Sequence, residues 1–98
     1  MKFVAMVHVQ VKPESRLDFE GLADDNNSVM TDIPGLISFD FLRPQDPDGD
    51  YVTVSVWEDK TAMEAFSASD ANKQAHAAMM KLGNIFEGRP TTNEFDVL

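Results

Sequence analysis

In residues 3–11, FVAMVHVQV, an extended chain carries Phe3, Ala5, Val7, Val9 and Val11 on one side and Val4, Met6, His8 and Gln10 on the other. The β-branched content predicts a strand, with the wholly apolar side covered more tightly than the mixed one. A Pro and a Ser in KPES precede helical spacing from about 14 to 32. Phe19, Leu22, Ala23, Val29, Met30 and Ile33 fall on one stripe there, and the polar Asn26 falls on it too. IPG (33–35) ends that helix in a turn. LISFDFLR (36–43) then alternates, with Ile37, Phe39 and Phe41 opposite Ser38 and Asp40, the pattern of a half-buried strand.

PQDPDGD (44–50) is a hairpin loop. YVTVSVWE (51–58) returns as a strand with Val52, Val54 and Val56 on one face and Tyr51, Thr53, Ser55 and Trp57 on the other. EDKTAMEAFSAS predicts a short amphipathic helix. DANKQAHAAMMKL (70–82) predicts another, with Asp70 as N-cap and Gly83 as C-cap. TNEFDVL (92–98) closes as a fourth strand. The order β–α–β–β–α–α–β is that of an α+β, ferredoxin-like domain spanning residues 1–98. Its four-stranded antiparallel sheet has helices on one face and leaves the other open. Met6, His8 and Tyr51 are expected on the open face, where a second sheet would cover them.

Charge and composition narrow the partners. Seventeen acidic against eight basic residues give a net charge of −9, and the bases are scattered singly, which argues against nucleic acid. With no cysteine, disulfides, thiolate metal sites and a cysteine nucleophile are excluded. No cationic start runs into a long apolar stretch, so neither a signal peptide nor a membrane span is expected, and the expected location is cytoplasmic.

VKPE, PGLISFDFLRP and YVTVSVWEDKTAMEAFSAS, followed by a helix histidine, resemble the antibiotic biosynthesis monooxygenase family in order and spacing from residue 3 to about 97. The resemblance implies a homodimer whose two sheets form an α/β barrel with the helices outside, and a pocket between sheet and helices in each protomer. Family members include cofactor-independent oxygenases acting on quinols and anthrone-like aromatics, and heme degraders. In the heme-degrading relatives, a helix histidine ligates iron beside a tryptophan ten residues earlier and an asparagine on the first strand. Those positions hold His76, Phe66 and Val7 in this chain, so one of the three is kept. Valine cannot donate the asparagine's hydrogen bond, which leaves heme the weaker alternative.

Without heme, His76 is the candidate general base, because an imidazole is suited to taking a proton from a phenol or an activated carbon. The alternative is a plain surface or interface residue. Asn26 either caps neighbouring backbone or orients a substrate oxygen. Trp57 and Phe66 are candidate aromatic walls, with Val7, Met63 and Met79 as further substrate contacts; all five also suit ordinary packing. His8 is expected at the interface, across the sheet from His76. The Asp46, Asp48 and Asp50 run reads as a solvated turn, and no metal is expected. The expected activity is oxidation of a small aromatic or quinol-type compound by O2 without a bound cofactor. A non-catalytic dimeric module that binds a small ligand is the reading from another class.

Overall fold

The predicted elements form in the predicted order. The computed structural model describes residues 1–30 and 32–98, the side chains of residues 26–29 excepted. Its elements are β1 (Phe3–Val9), α1 (Arg16–Val29), β2 (Leu36–Leu42), β3 (Tyr51–Trp57), α2 (Lys60–Ser67), α3 (Asp70–Met80) and β4 (Thr91–Asp96), with a one-turn 3-10 segment, Pro13–Ser15, leading into α1. The strands pair antiparallel in the order β2-β3-β1-β4. This is the ferredoxin-like, α+β arrangement.

Register decides which side chains share a face. Phe3, Ala5, Val7 and Val9 stand opposite Trp57, Ser55, Thr53 and Tyr51. Phe39 and Phe41 join the same face from β2, and Thr92 and Glu94 from β4. This face meets the helices in two apolar clusters. One gathers Val9, Val11, Phe19, Tyr51 and Ile85; the other gathers Phe3, Ala5 and Trp57, with Leu36, Ala62, Met63 and Phe66 packed against them. Val11 lies beyond β1 and reaches its cluster through an isolated bridge to Phe86.

The opposite face carries Val4, Met6, His8, Val52, Val54 and Val56, all half-buried. Leu42 and Phe95 lie on it at 44% and 50% exposure. Tyr51 is not there: it pairs with Val9 and is buried against Phe19, with ring centroids 5.0 Å apart. Ile37 also departs from the sequence expectation. A bulge between Leu36 and Ser38 puts Leu36 opposite Trp57 and leaves Ile37 48% exposed.

Local chemistry sets the helix ends. Asp59 caps α2 by accepting from the Ala62 N–H at 2.8 Å. Ser69, not Asp70, caps α3: its backbone is extended and its hydroxyl oxygen accepts from the Asn72 N–H at 3.3 Å. Asp70 is instead the first helical residue, where its carboxylate complements the helix dipole. Gly83, at φ +81°, follows the last turn of α3 and donates to the Met80 carbonyl.

Candidate functional site: a cavity between the sheet and the second and third helices

Two cross-strand rows form the floor of a cavity. One row runs Phe39–Ser55–Ala5–Glu94 and the next runs Phe41–Thr53–Val7–Thr92. Their central members are small, so helices resting on the large side chains around them stand clear of the sheet. The space beneath α2 has a volume of about 720 Å³, within the ordinary range for a small-molecule site. Its floor presents the Ser55, Thr53 and Thr92 hydroxyl groups beside Ala5 and Val7, and its helix side presents Met63, Phe66 and Asn72.

Trp57 closes one end. It is 1% exposed, its ring lies 5.5 Å from that of Phe66 at 36°, and its indole N–H has no hydrogen-bond partner among the described residues. A buried donor left unpaired costs about 1–3 kcal/mol. Trp57 is thus packed in the core as well as placed at the cavity wall. At the rim, Lys60 Nζ on α2 stands 3.8 Å from Glu94 Oε2 on β4, with Glu64 one helical turn from Lys60.

Of the residues singled out by sequence, Val7, Trp57, Met63 and Phe66 line this cavity together. Met79 does not; it packs against the cluster around Phe19. His76 is exposed on α3 and is not part of the lining. It lies four residues beyond Asn72, on the same side of the helix and about 6 Å further along the axis. The side chain of Asn26 lies outside the described residues. His8 and His76 occupy opposite sides of the sheet, His8 pairing across from Val52 on the uncovered face.

Thr53, Ser55, Thr92, Asn72 and the rim charges are not among the residues that the sequence singles out. The pattern held one clue: two small hydroxyl residues sit between Tyr51 and Trp57 on one face of a central strand.

A second polar cluster lies at the other end of the sheet. The Tyr51 hydroxyl donates to Glu20 Oε2 at 2.5 Å, and Arg43 Nη2 reaches Glu20 Oε1 at 2.6 Å. The Arg16 guanidinium sits 5.4 Å from the Tyr51 ring centre and donates to the Gly49 carbonyl. The Tyr51 hydrogen bond, more than the nearby guanidinium groups, holds the Glu20 carboxyl below its ordinary value despite the opposing effect of desolvation. Burial first, then the bond to Glu20, pushes the Tyr51 phenol up. This cluster ties α1 to β2, β3 and the hairpin loop.

The chain resembles known proteins over the region just described. A Caulobacter crescentus protein provisionally assigned as an antibiotic biosynthesis monooxygenase superposes with a TM-score of 0.83 at 21% identity, over 99% of this chain and 90% of that one. The Mycobacterium tuberculosis heme degrader MhuD, with two hemes bound in its active site, superposes with a TM-score of 0.78 at 22% identity, over 98% of this chain and 95% of that one. At such identities the likeness is one of fold. A Natronomonas pharaonis protein provisionally named for heme binding is 33% identical over 64 residues; these are 65% of this chain and 11% of that protein's length. The family model of the antibiotic biosynthesis monooxygenases matches residues 2–78. The chain is a member of that family.

Proposed function

We propose that this protein is a cofactor-independent monooxygenase that oxidises a small aromatic or quinol-type compound with O2 in the cavity beneath α2. The observation that carries the proposal is the cavity itself, about 720 Å³ and walled by Trp57 and Phe66 over a floor of small and hydroxyl-bearing side chains. Aromatic walls suit a flat ring, and hydroxyl groups suit its oxygen substituents. Removing a proton from a phenol or from a methylene between aromatic rings makes the substrate a reductant for O2. The methylene then becomes a carbonyl: the carbon loses two hydrogens and gains one oxygen atom, and the second oxygen leaves as water.

In this reading His76, exposed on α3 one helical turn beyond Asn72 and outside the lining, carries the substrate's proton to solvent without touching the ring, and Asn26 orients a substrate oxygen. Phe66, Trp57, Val7 and Met63 hold the ring, with Met79 supporting α3 from the adjacent core. A second copy pairs through the uncovered apolar face and closes the α/β barrel. The protein works in the cytoplasm.

The test is O2 uptake with a panel of quinols and anthrones, with product identified by mass. Uptake that falls about 10²-fold or more in His76→Ala supports His76 as the residue that handles the proton. No substrate-dependent uptake by the wild type would leave a ligand-binding module as the function.

A further inference from the structure

The cavity lining has three charged side chains among the described residues, and all three belong to the rim. Lys60 and Glu64 share one face of α2, and Glu94 projects from β4. Lys60 Nζ stands 3.8 Å from Glu94, with the two side chains 58% and 43% exposed, so the one ammonium is held at the water-facing rim beside a carboxylate and not inside the cavity, and a second carboxylate stands one turn away. The lining thus carries a net charge of −1 within a chain of −9. Arg16 and Arg43 cannot help, because they are engaged around Tyr51. Tyr51 lies six residues along β3 from Trp57, about 20 Å away. A carboxylate brought into a largely apolar space needs a partner there, and the lining offers none that is free of a competing carboxylate. An uncharged oxygen is better served, by the hydroxyl groups of Thr53 and Thr92, that of Ser55 already donating to the Ala5 carbonyl at 3.4 Å.

We infer that the cavity takes uncharged, oxygen-substituted aromatic compounds and rejects their carboxylated counterparts, heme with its two propionates included. The residues present do not fit heme on a second count: the lining has no histidine, and His76 is exposed outside it. The inference rests on the cavity being the substrate site of the proposed monooxygenase, and it names the class of compound that site accepts.

Trp57 is the one tryptophan in the chain and lines the cavity, so its fluorescence reports occupancy. Titration at pH 7 compares 1,8-dihydroxyanthraquinone, its 3-carboxylate and hemin. The neutral compound is expected to bind about tenfold or more tightly than the carboxylate. In Glu64→Gln/Glu94→Gln, with folding checked by far-UV circular dichroism, the gap should narrow to about threefold through tighter carboxylate binding. Equal wild-type affinities, no quenching by the neutral compound, a gap unchanged in the double variant, or hemin binding more tightly than the neutral compound would each overturn the inference. Failure of the monooxygenase reading looks different: selective binding of the neutral compound persists, but no panel member drives O2 uptake.

Discussion

Tyr51 and Glu20 are joined by a 2.5 Å hydrogen bond that links the start of β3 to the middle of α1. The phenol stays protonated and the carboxyl ionised, so each group favours the state the other needs. Glu20 titrates below its ordinary 4.5, so the folded state takes up its proton later than the unfolded chain. Its contribution to stability is present above about pH 4.5 and is lost as pH falls through the lowered value. Tyr51 titrates above its ordinary 10.0; its contribution is present below that pH and is lost as pH rises through the raised value. Tyr51→Phe should therefore destabilise by about 1.5 kcal/mol, the lower end for a bond to a charged group, because the Glu20 side chain is 28% exposed. It should also flatten the loss of stability on both the acid and alkaline sides. Urea unfolding at a series of pH values checks both effects, and parallel pH profiles for variant and wild type would refute the coupling.

Gly35 joins the end of α1 to β2 at φ +79°, and its carbonyl accepts from the Glu58 N–H at 2.8 Å. A Cβ at this position would land on the Ala62 Cβ in α2. Gly35→Ala combines left-handed strain with overpacking and should cost about 2–4 kcal/mol. Gly83→Ala meets only the strain, because among the described residues no neighbouring atom lies within 4 Å of the added carbon; about 1–2 kcal/mol is expected. Thermal unfolding of the two variants side by side tests the difference.

Trp57 is fully buried, and its N–H has no partner among the described residues. Trp57→Phe removes that unpaired donor along with some packing, and should cost less than about 1.5 kcal/mol. Trp57→Ala should cost about 3–5 kcal/mol. Denaturation midpoints followed by circular dichroism check the pair, and a large loss in the Phe variant would mean that the N–H is satisfied in solution.

Val54 lies at the centre of the uncovered face, between Met6 on β1 and Asp40 on β2. If that face pairs with a second copy, sedimentation should give twice the chain mass of 10.9 kDa. Val54→Glu should sediment as a monomer with unchanged secondary structure, because a second carboxylate opposite Asp40 would be buried between the copies without a cationic partner. A wild-type protein that stays monomeric at high micromolar concentration would remove the barrel from the proposed function.

The elements were legible in the sequence because period two and period 3.6 are written plainly, down to the turn at Pro34-Gly35 and the glycine after α3. The faces were less so. Hydrophobicity alone would bury the valines of β3 beneath the helices, yet the helices cover the side with Tyr51, Thr53, Ser55 and Trp57. That side is polar at its centre because a cavity sits there. Ile37 was misplaced because one bulged residue reverses the alternation, and Asp70 because Ser69 offers an equally good cap one position earlier. Val7 and Phe66 are singled out by the family resemblance, Trp57 and Met63 by side-chain type, and the fold brings the four to one cavity. The floor hydroxyl groups and the rim charges belong to strands far apart in sequence, and only the register brings them together.

On β1 and β3 the cavity floor uses the odd-numbered positions and the uncovered face the even-numbered ones. Substitution can therefore reshape the ligand space without touching the apolar outer surface, and the reverse holds too. Loss of a single residue within β3 would do neither cleanly. It would exchange the two sets at a stroke, turning valines toward the ligand and hydroxyl groups toward the outside.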